Sequence, residues 1–272
     1  SDWDRLALAL ARMHAADPSL HCETDGELGQ TLLSGMGQLH LDVAIERLAL
    51  EHGVAVRAGQ PRVAYRTTLS ARAQREVRHV KQSGGPGQFA HIVVAVGPAP
   101  RGAGLCFVDQ TRGGVIPRGF SGAVEAGVRE AMARGLLGGH PVVDVEVLLL
   151  DGSTHPKDSS ELAFKIAGAR AFQEAAADAA PVLLEPIVRL EVTCPEAHLG
   201  AVVGDLTLRR GQILGKDLRG REHLLRAEVP LGETFGDAGQ LSALTHGLGR
   251  FTQEPARYER APASVQARLT RS

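Results

Sequence analysis

The sequence lacks the cysteine pairs, long apolar runs and aromatic clusters that mark several classes of protein. Its three cysteines, Cys22, Cys106 and Cys194, are far apart and form no CxxC pair, which argues against a disulfide framework or a structural zinc site. We interpret them as small buried hydrophobic residues, which fits a reducing cytoplasm. No apolar run of about 18 residues and no signal peptide is found, so the sequence predicts no membrane span.

The sequence also lacks the excess of basic residues that many nucleic-acid-binding proteins carry. The chain carries 30 Lys and Arg against 31 Asp and Glu, a formal net charge of −1. Any contact with RNA must therefore come from local patches or backbone amides. With 272 residues, 43% hydrophobic and 4% aromatic, the chain is long enough for two or three domains with mainly aliphatic cores.

Motifs for catalysis and metal binding are missing as well. The nearest approach to a phosphate loop, at 211–217, is one residue too short and has no hydroxyl after Lys216. Asp151, Ser153 and His155 could suggest a hydrolase, but triad residues usually come from separate segments, so we interpret this cluster as a turn. The histidines form no HxxxH pair. The sequence therefore predicts neither nucleotide hydrolysis nor a metal site in this chain.

The pattern of apolar residues divides the chain into three α+β units, with borders near residues 67 and 184. In the first unit it predicts helix, strand, strand, helix and a short strand at 54–57, a split βαβ unit without its first strand. In the middle unit, Asp158 and Glu161 have the spacing of a capping box for a helix. The third unit follows the full β-α-β-β-α-β order, with Pro195 in the first helical position.

Two polar segments leave alternatives open. The glycine-rich loop at 82–88 can expose backbone amides to a phosphate or a base edge, or it can be a plain hairpin turn. Arg209 and Arg210 follow a predicted helix, where they can interact with the helix dipole or contact a phosphate. Composition alone does not separate these interpretations.

Several long motifs, in order along the chain, resemble the elongation factor G family. The matching stretches are QTLLSGMGQLHL (30–41), HVKQSGGPGQFAH (79–91), GGVIP (113–117), DGSTHPKDSSELAFKIAG (151–168), LEP (184–186) and GDLTLRRGQILG (204–215). The first resembles the third domain of that family, the next three resemble the fourth domain, and the last two resemble the fifth. The resemblance covers nearly the whole chain without a large gap.

The resemblance implies an α+β fold with two ferredoxin-like domains, at 1–67 and 184–262. They flank a ribosomal-protein-like α+β domain at 68–183 that has a left-handed βαβ crossover, and a C-terminal helix at 263–272 packs near it. It also implies a cytoplasmic monomer that binds the ribosome, with the fourth domain holding tRNA and mRNA in the decoding region. A GTPase domain in cis, N-terminal to this chain, would hold GTP and Mg²⁺; we expect no cofactor in the chain itself.

The family motifs also assign the residues that contact RNA. They are Lys81, Gln82, Ser83, Gly84, Gly85, Pro86, Gly87, Gln88, His155, Lys157, Asp158, Arg209 and Arg210. Small residues allow close backbone approach, and Gln88 and His155 can hydrogen-bond to ribose or base edges, which serves shape and position more than sequence.

The sequence departs from the family pattern at Pro86, where the family usually carries Arg or a comparable polar residue. Proline removes both a cation and an amide donor, and we hypothesise that Lys157 partly restores the lost charge. The departure keeps open a paralogue that acts in ribosome recycling. An alternative from another class is a stand-alone RNA-binding module without a GTPase partner.

Overall fold

A computed structural model describes residues 2–26, 28–82, 87–235 and 237–270. The chain forms two compact units. Unit 1 consists of Ser1–Ala64 and Glu185–Glu259, and unit 2 consists of Tyr65–Leu184 and Arg260–Ser272. Each unit is therefore assembled from two separate stretches of the chain.

The first stretch of unit 1 packs two helices against a β-hairpin. Helix α1 (Asp2–Ala16) leads to strands β1 (His21–Asp25) and β2 (Gln30–Ser34), which pair antiparallel, and helix α2 (Gln38–Leu50) follows. Helical spacing of apolar residues gives each helix one buried stripe. The side chains that meet there are Ala9, Leu10, Met13, Leu20, Ala44 and Leu48.

The prediction of a strand at 54–57 is wrong, because the structure describes residues 53–65 without a helix or strand. Val54 and Val56 nevertheless pack against the core of α1, α2 and the hairpin. Their alternation therefore reports burial correctly. A strand also needs a neighbour whose backbone completes its hydrogen bonds, and alternation cannot reveal whether one is present.

The second stretch of unit 1 has the predicted β-α-β-β-α-β order. Its elements are β8 (Pro181–Pro195), α5 (Glu196–Leu208), β9 (Gln212–Arg219), β10 (Glu222–Pro230), α6 (Asp237–Leu244) and β11 (Arg250–Arg260). Strand β8 begins and β11 ends in unit 2, since residues 181–184 and 260 belong to that unit. The strands lie in the order β11-β8-β10-β9. This is the ferredoxin-like arrangement expected from the sequence. One detail differs, since Pro195 is the residue before α5 and not its first helical residue.

Unit 2 is a sheet covered by two long helices. It contains β3 (Arg66–Leu69), β4 (Ala73–Lys81), β5 (Gln88–Pro98), β6 (Leu105–Asp109), α3 (Arg118–Arg134), β7 (Val145–Ser153), α4 (Glu161–Asp178) and α7 (Ala263–Leu269). The sheet order is β4-β5-β7-β6, and β6 runs parallel to β7. Helix α3 connects these two parallel strands and forms the crossover of the expected α+β domain.

Helices α3 and α4 touch at two glycines. A Cβ on Gly127 would lie 2.0 Å from the carbonyl oxygen of Lys165, and a Cβ on Gly168 would lie 2.6 Å from that of Val124. The missing side chains let the two backbones approach closely. Phe164 and Phe172 of α4 are fully buried in the core beneath.

The start of α4 corrects a second expectation. Ser160, not Asp158, is the N-cap, and its hydroxyl oxygen accepts a hydrogen bond from the backbone N–H of Ala163 at 3.2 Å. The capping-box pattern placed the helix start two residues early, because serine caps as well as aspartate does. Asp158 is thereby available for the contacts described next.

Candidate nucleic-acid interface

One end of unit 2 carries two of the segments that the family motifs single out. The first is the hairpin loop at 82–88 between β4 and β5, and the second is the loop at 154–158 between β7 and α4. We call this the distal end. Lys81 pairs with Gln88 at the last position of the hairpin, and the amide oxygen of Gln88 lies 2.9 Å from Nε2 of His79. Residues 83–86, which include four of the assigned positions, lie outside the described residues.

Two hydrogen bonds join the residue that follows Gln88 to the end of the 154–158 loop. The N–H of Phe89 donates to the carbonyl oxygen of Asp158 at 2.8 Å, and the Ser159 hydroxyl donates to that of Phe89 at 2.9 Å. Gly87 lies against the Asp158 side chain, where an added Cβ would be 2.7 Å from the carboxyl carbon. The structure therefore brings Gly87 and Gln88 next to the 154–158 loop.

His155 is held within its own loop. Its Nδ1 lies 3.0 Å from a carboxylate oxygen of Asp158, and 3.2 Å and 3.4 Å from the backbone nitrogens of Asp158 and Lys157. A neutral ring can accept at Nδ1 from these amides, whereas a protonated ring donates from Nδ1 to the carboxylate. The ring is 48% exposed, and Lys157 is exposed beside it. Both side chains are thus accessible to a ligand.

A hydrogen-bonded chain across the sheet lies directly behind the two loops, and no sequence pattern indicated it. Nδ1 of His91 is 2.9 Å from the Ser153 hydroxyl, and Nε2 of His91 is 2.8 Å from a carboxylate oxygen of Glu76. These residues belong to β5, β7 and β4. These hydrogen bonds connect the three strands that lead into the loops.

The hydrogen bonds among Ser153, His91 and Glu76 also bear on the hydrolase alternative. Ser153 bonds His91, not His155 as the local cluster suggested. The order serine, imidazole, carboxylate resembles a catalytic triad, but the Glu76 side chain is 61% exposed. Electrostatic catalysis of acyl transfer depends on a site from which water is excluded. We therefore interpret these hydrogen bonds as a structural link between strands.

Arg209 and Arg210 lie in unit 1 and bind carboxylates there. Nε of Arg209 donates to Asp205 at 2.8 Å. Arg210 donates two bonds of 2.8 Å to Glu185, whose side chain is 6% exposed, and also reaches Glu233. The hydrogen bonds to Glu185 raise the pKa of Arg210. These partners give both arginines a structural role, and their contact with a phosphate stays a prediction.

The described ranges also bear on metals and membranes. Within residues 2–26, 28–82, 87–235 and 237–270, no three His, Cys, Asp or Glu side chains are grouped to hold a metal ion. No helix in these same ranges is long and apolar enough to cross a membrane.

Comparison with known proteins assigns every part of this architecture. Residues 1–60 match the family model "Elongation Factor G, domain III", residues 61–180 match "Elongation factor G, domain IV", and residues 182–269 match "Elongation factor G C-terminus". A crystal structure of a protein from Thermus thermophilus is similar at 40% sequence identity with a TM-score of 0.85. The match covers 99% of this chain and 40% of that one. The chain therefore belongs to the elongation factor G family and comprises its domains III and IV and its C-terminal domain.

Proposed function

We propose that this chain is the ribosome-binding module of a translational GTPase that supports tRNA–mRNA translocation. The distal end of unit 2 would contact RNA in the decoding region, and GTP hydrolysis would belong to another domain of the parent polypeptide. The observation that carries this proposal is the pair of hydrogen bonds that join Phe89, directly after the 82–88 loop, to Asp158 and Ser159 at the end of the 154–158 loop. Gly87, Gln88 and the 154–158 loop thereby form one surface, as recognition of RNA by shape requires.

The contacts available at this surface suit RNA without calling for a base sequence. Gln88 and His155 offer polar groups for riboses and base edges, and Lys157 offers a cation for a phosphate. Gly87 removes a side chain where the backbone must pass close to Asp158. The surface supports a role in holding a ligand in position, and none of these groups needs to react chemically.

Lys157→Glu tests the electrostatic part of the proposal. Binding of the intact chain to purified ribosomes would be measured at several salt concentrations. Loss of one phosphate contact lowers the slope of log K against log salt by about 0.7–0.9. The variant should therefore bind more weakly at low salt, and its loss of affinity between about 50 and 200 mM salt should shrink roughly threefold.

Arg101→Glu is the matched control, because Arg101 is exposed in the turn between β5 and β6. That turn is at the opposite end of the sheet, where Pro98 of β5 and Leu105 of β6 both pair with Val145. We expect Arg101→Glu to leave the slope unchanged. Equal binding of wild type and Lys157→Glu over the whole salt range would refute a role for this surface.

A second candidate function within the family is ribosome recycling. It is favoured by Pro86, which supplies neither a cation nor an amide donor where the family usually carries a polar residue. Joining this chain to a known GTPase half separates the two candidates. Movement of tRNA and mRNA by the chimaera supports translocation, whereas separation of ribosomal subunits without such movement supports recycling.

A further inference from the structure

A third segment, absent from the family motifs assigned to RNA contact, reaches the distal end of unit 2. It is the β6–α3 segment at 110–117. Strand β6 runs parallel to β7, with Asp109 opposite Leu149, so it ends toward the same edge where β7 enters the 154–158 loop. The backbone N–H of Gln110 donates to the carbonyl oxygen of Leu149 at 2.9 Å. The segment therefore leaves the sheet beside that loop.

Both ends of the β6–α3 segment are anchored. One carboxylate oxygen of Asp109 accepts the backbone N–H of Thr111 at 2.9 Å and its hydroxyl at 2.7 Å. Burial alone would raise the pKa of Asp109, but hydrogen bonds from Ser121 and Thr111 outweigh it and lower that pKa. At the other end, Ile116 is buried against Gly152, where an added Cβ would lie 2.5 Å from its Cδ1. The exposed middle is thus held in place by the core.

The exposed middle consists of Arg112, Gly113, Gly114 and Val115, and Arg118 follows in the first turn of α3. Gly113 and Gly114 have φ of 66° and 70°, a left-handed conformation that favours glycine. The first turns of α3 and α4 lie side by side, since the rings of Phe120 and Phe164 stack at 4.7 Å. Arg118 is therefore close to the segment that connects β7 to α4.

Several cations on the flanks of unit 2 pair with carboxylates, in the pairs Arg72–Glu146, Arg75–Asp178, Arg129–Glu125, Lys165–Glu130 and Arg170–Glu174. Arg101 and Arg134 are exposed at the opposite end of unit 2, and no carboxylate among the described residues pairs with them. Arg112, Arg118 and Lys157 are exposed at the distal end, and among the residues that the structure describes none of them has a carboxylate partner. A cation without a partner keeps its full charge for a ligand.

We propose that Arg112 and Arg118 bind phosphates of an RNA backbone and form a third contact beside the 82–88 and 154–158 loops. This inference rests on the proposed function, because it adds to the same surface. Guanidinium groups suit phosphates through paired N–H donors, and contacts to phosphate fix register without reading sequence. The anchored segment presents them with little ordering cost on binding.

The experiment compares two double variants of the intact chain on purified small ribosomal subunits. Arg112→Ala/Arg118→Ala removes the two distal cations. Arg101→Ala/Arg134→Ala removes the same charge at the other end, since Arg134 closes the 17-residue helix that Arg118 opens, about 25 Å away. We expect the first variant to lose about 1.4–1.8 from the salt slope and the second to lose nothing. Between about 50 and 200 mM salt, the first variant should then lose roughly 7–12-fold less affinity than wild type.

The outcomes distinguish failure of the third RNA contact from failure of the proposed function. If the distal variant matches the control variant while Lys157→Glu binds more weakly, the third contact is refuted and the proposed function stands. If neither changes binding, the proposed function itself is refuted. Arg112→Lys/Arg118→Lys supplies a further check, because it keeps the charge without the paired donors. A slope restored by lysine supports phosphate contact, whereas a slope that stays low contradicts it.

Discussion

Two glycines in helix α3 should respond oppositely to the same substitution. Gly127 faces α4, and an added Cβ would lie 2.0 Å from the carbonyl oxygen and 2.9 Å from the carbonyl carbon of Lys165. Gly122 lies on the exposed side of the same helix, where an added Cβ meets nothing within 4 Å. Gly127→Ala and Gly122→Ala therefore differ only in what the new methyl group touches.

The size of the expected change in unfolding free energy follows from this geometry. Ordinary contact to a Cβ begins at 3.4 Å, so Gly127→Ala forces α3 and α4 apart by over an ångström, because a backbone atom cannot rotate away. A gap of about 0.5–1 Å already forfeits a quarter to a half of a dispersion contact, and overpacking costs up to about 3 kcal/mol. Alanine returns about 1 kcal/mol of helix propensity. We expect Gly127→Ala to lose about 2 kcal/mol and Gly122→Ala to gain about 0.5–1 kcal/mol.

Hydrogen exchange on the intact chain is the suitable assay, because a chain with two compact units need not unfold in one step. Mass spectrometry of peptides from α3 (Arg118–Arg134) and α4 (Glu161–Asp178) would report the free energy of opening there. Peptides from α1 and α2 serve as internal controls, since both belong to unit 1. Wild-type protection in Gly127→Ala, or a shift of both variants in the same direction, would show that the helix contact is not as close as described.

Two further predictions concern unit 1. Hydrogen bonds from Ser19, and then from His40, lower the pKa of Asp17 to about 2 from 3.8, so its contribution to stability is complete above about pH 4 and lost as the pH falls toward 2. Asp17→Asn should therefore flatten the acid dependence of the unfolding free energy in that window, and an unchanged dependence would contradict the assignment. Arg210→Ala leaves Glu185 buried without its bidentate partner and should cost about 3 kcal/mol in urea unfolding at neutral pH; a loss under about 0.5 kcal/mol would mean that Glu185 finds water instead.

Much of the fold could be predicted because local patterns coincide with burial. In β8, Val188, Leu190 and Val192 alternate, and all three are buried in the sheet of unit 1. Glycine and proline at the ends of helices and strands indicated the element boundaries in the third predicted unit, which is the second stretch of unit 1. The strand at 54–57 failed for the reason already given, since alternation indicates which side chains are covered and not which backbone pairs with which.

The candidate site was less accessible to sequence reasoning. His91 and Ser153 are 62 residues apart in the chain, and their contact depends on the register between β5 and β7, which shifts between Val93 and Val94. No local pattern encodes that register. The assignment of Gln88 and His155 to RNA contact followed from family resemblance, whereas the interest of Arg112 and Arg118 became visible only from the direction in which β6 and α3 run.

The divided composition of unit 2 sets an order on its folding during synthesis. The carbonyl oxygen of Leu183 accepts the backbone N–H of Ala261 at 2.9 Å, and the N–H of Leu183 donates to the side chain of Gln266 at 3.2 Å. Leu183, Ala261 and Val265 also share a small buried cluster. Residues 185–259 must be made before these partners exist, which takes roughly 4–15 s at ordinary elongation rates. In a nascent chain that stops at residue 184, β3 can already pair with residues 181–184, but Leu183 lacks Ala261, Val265 and Gln266. The distal end can therefore form before the unit that carries it is closed.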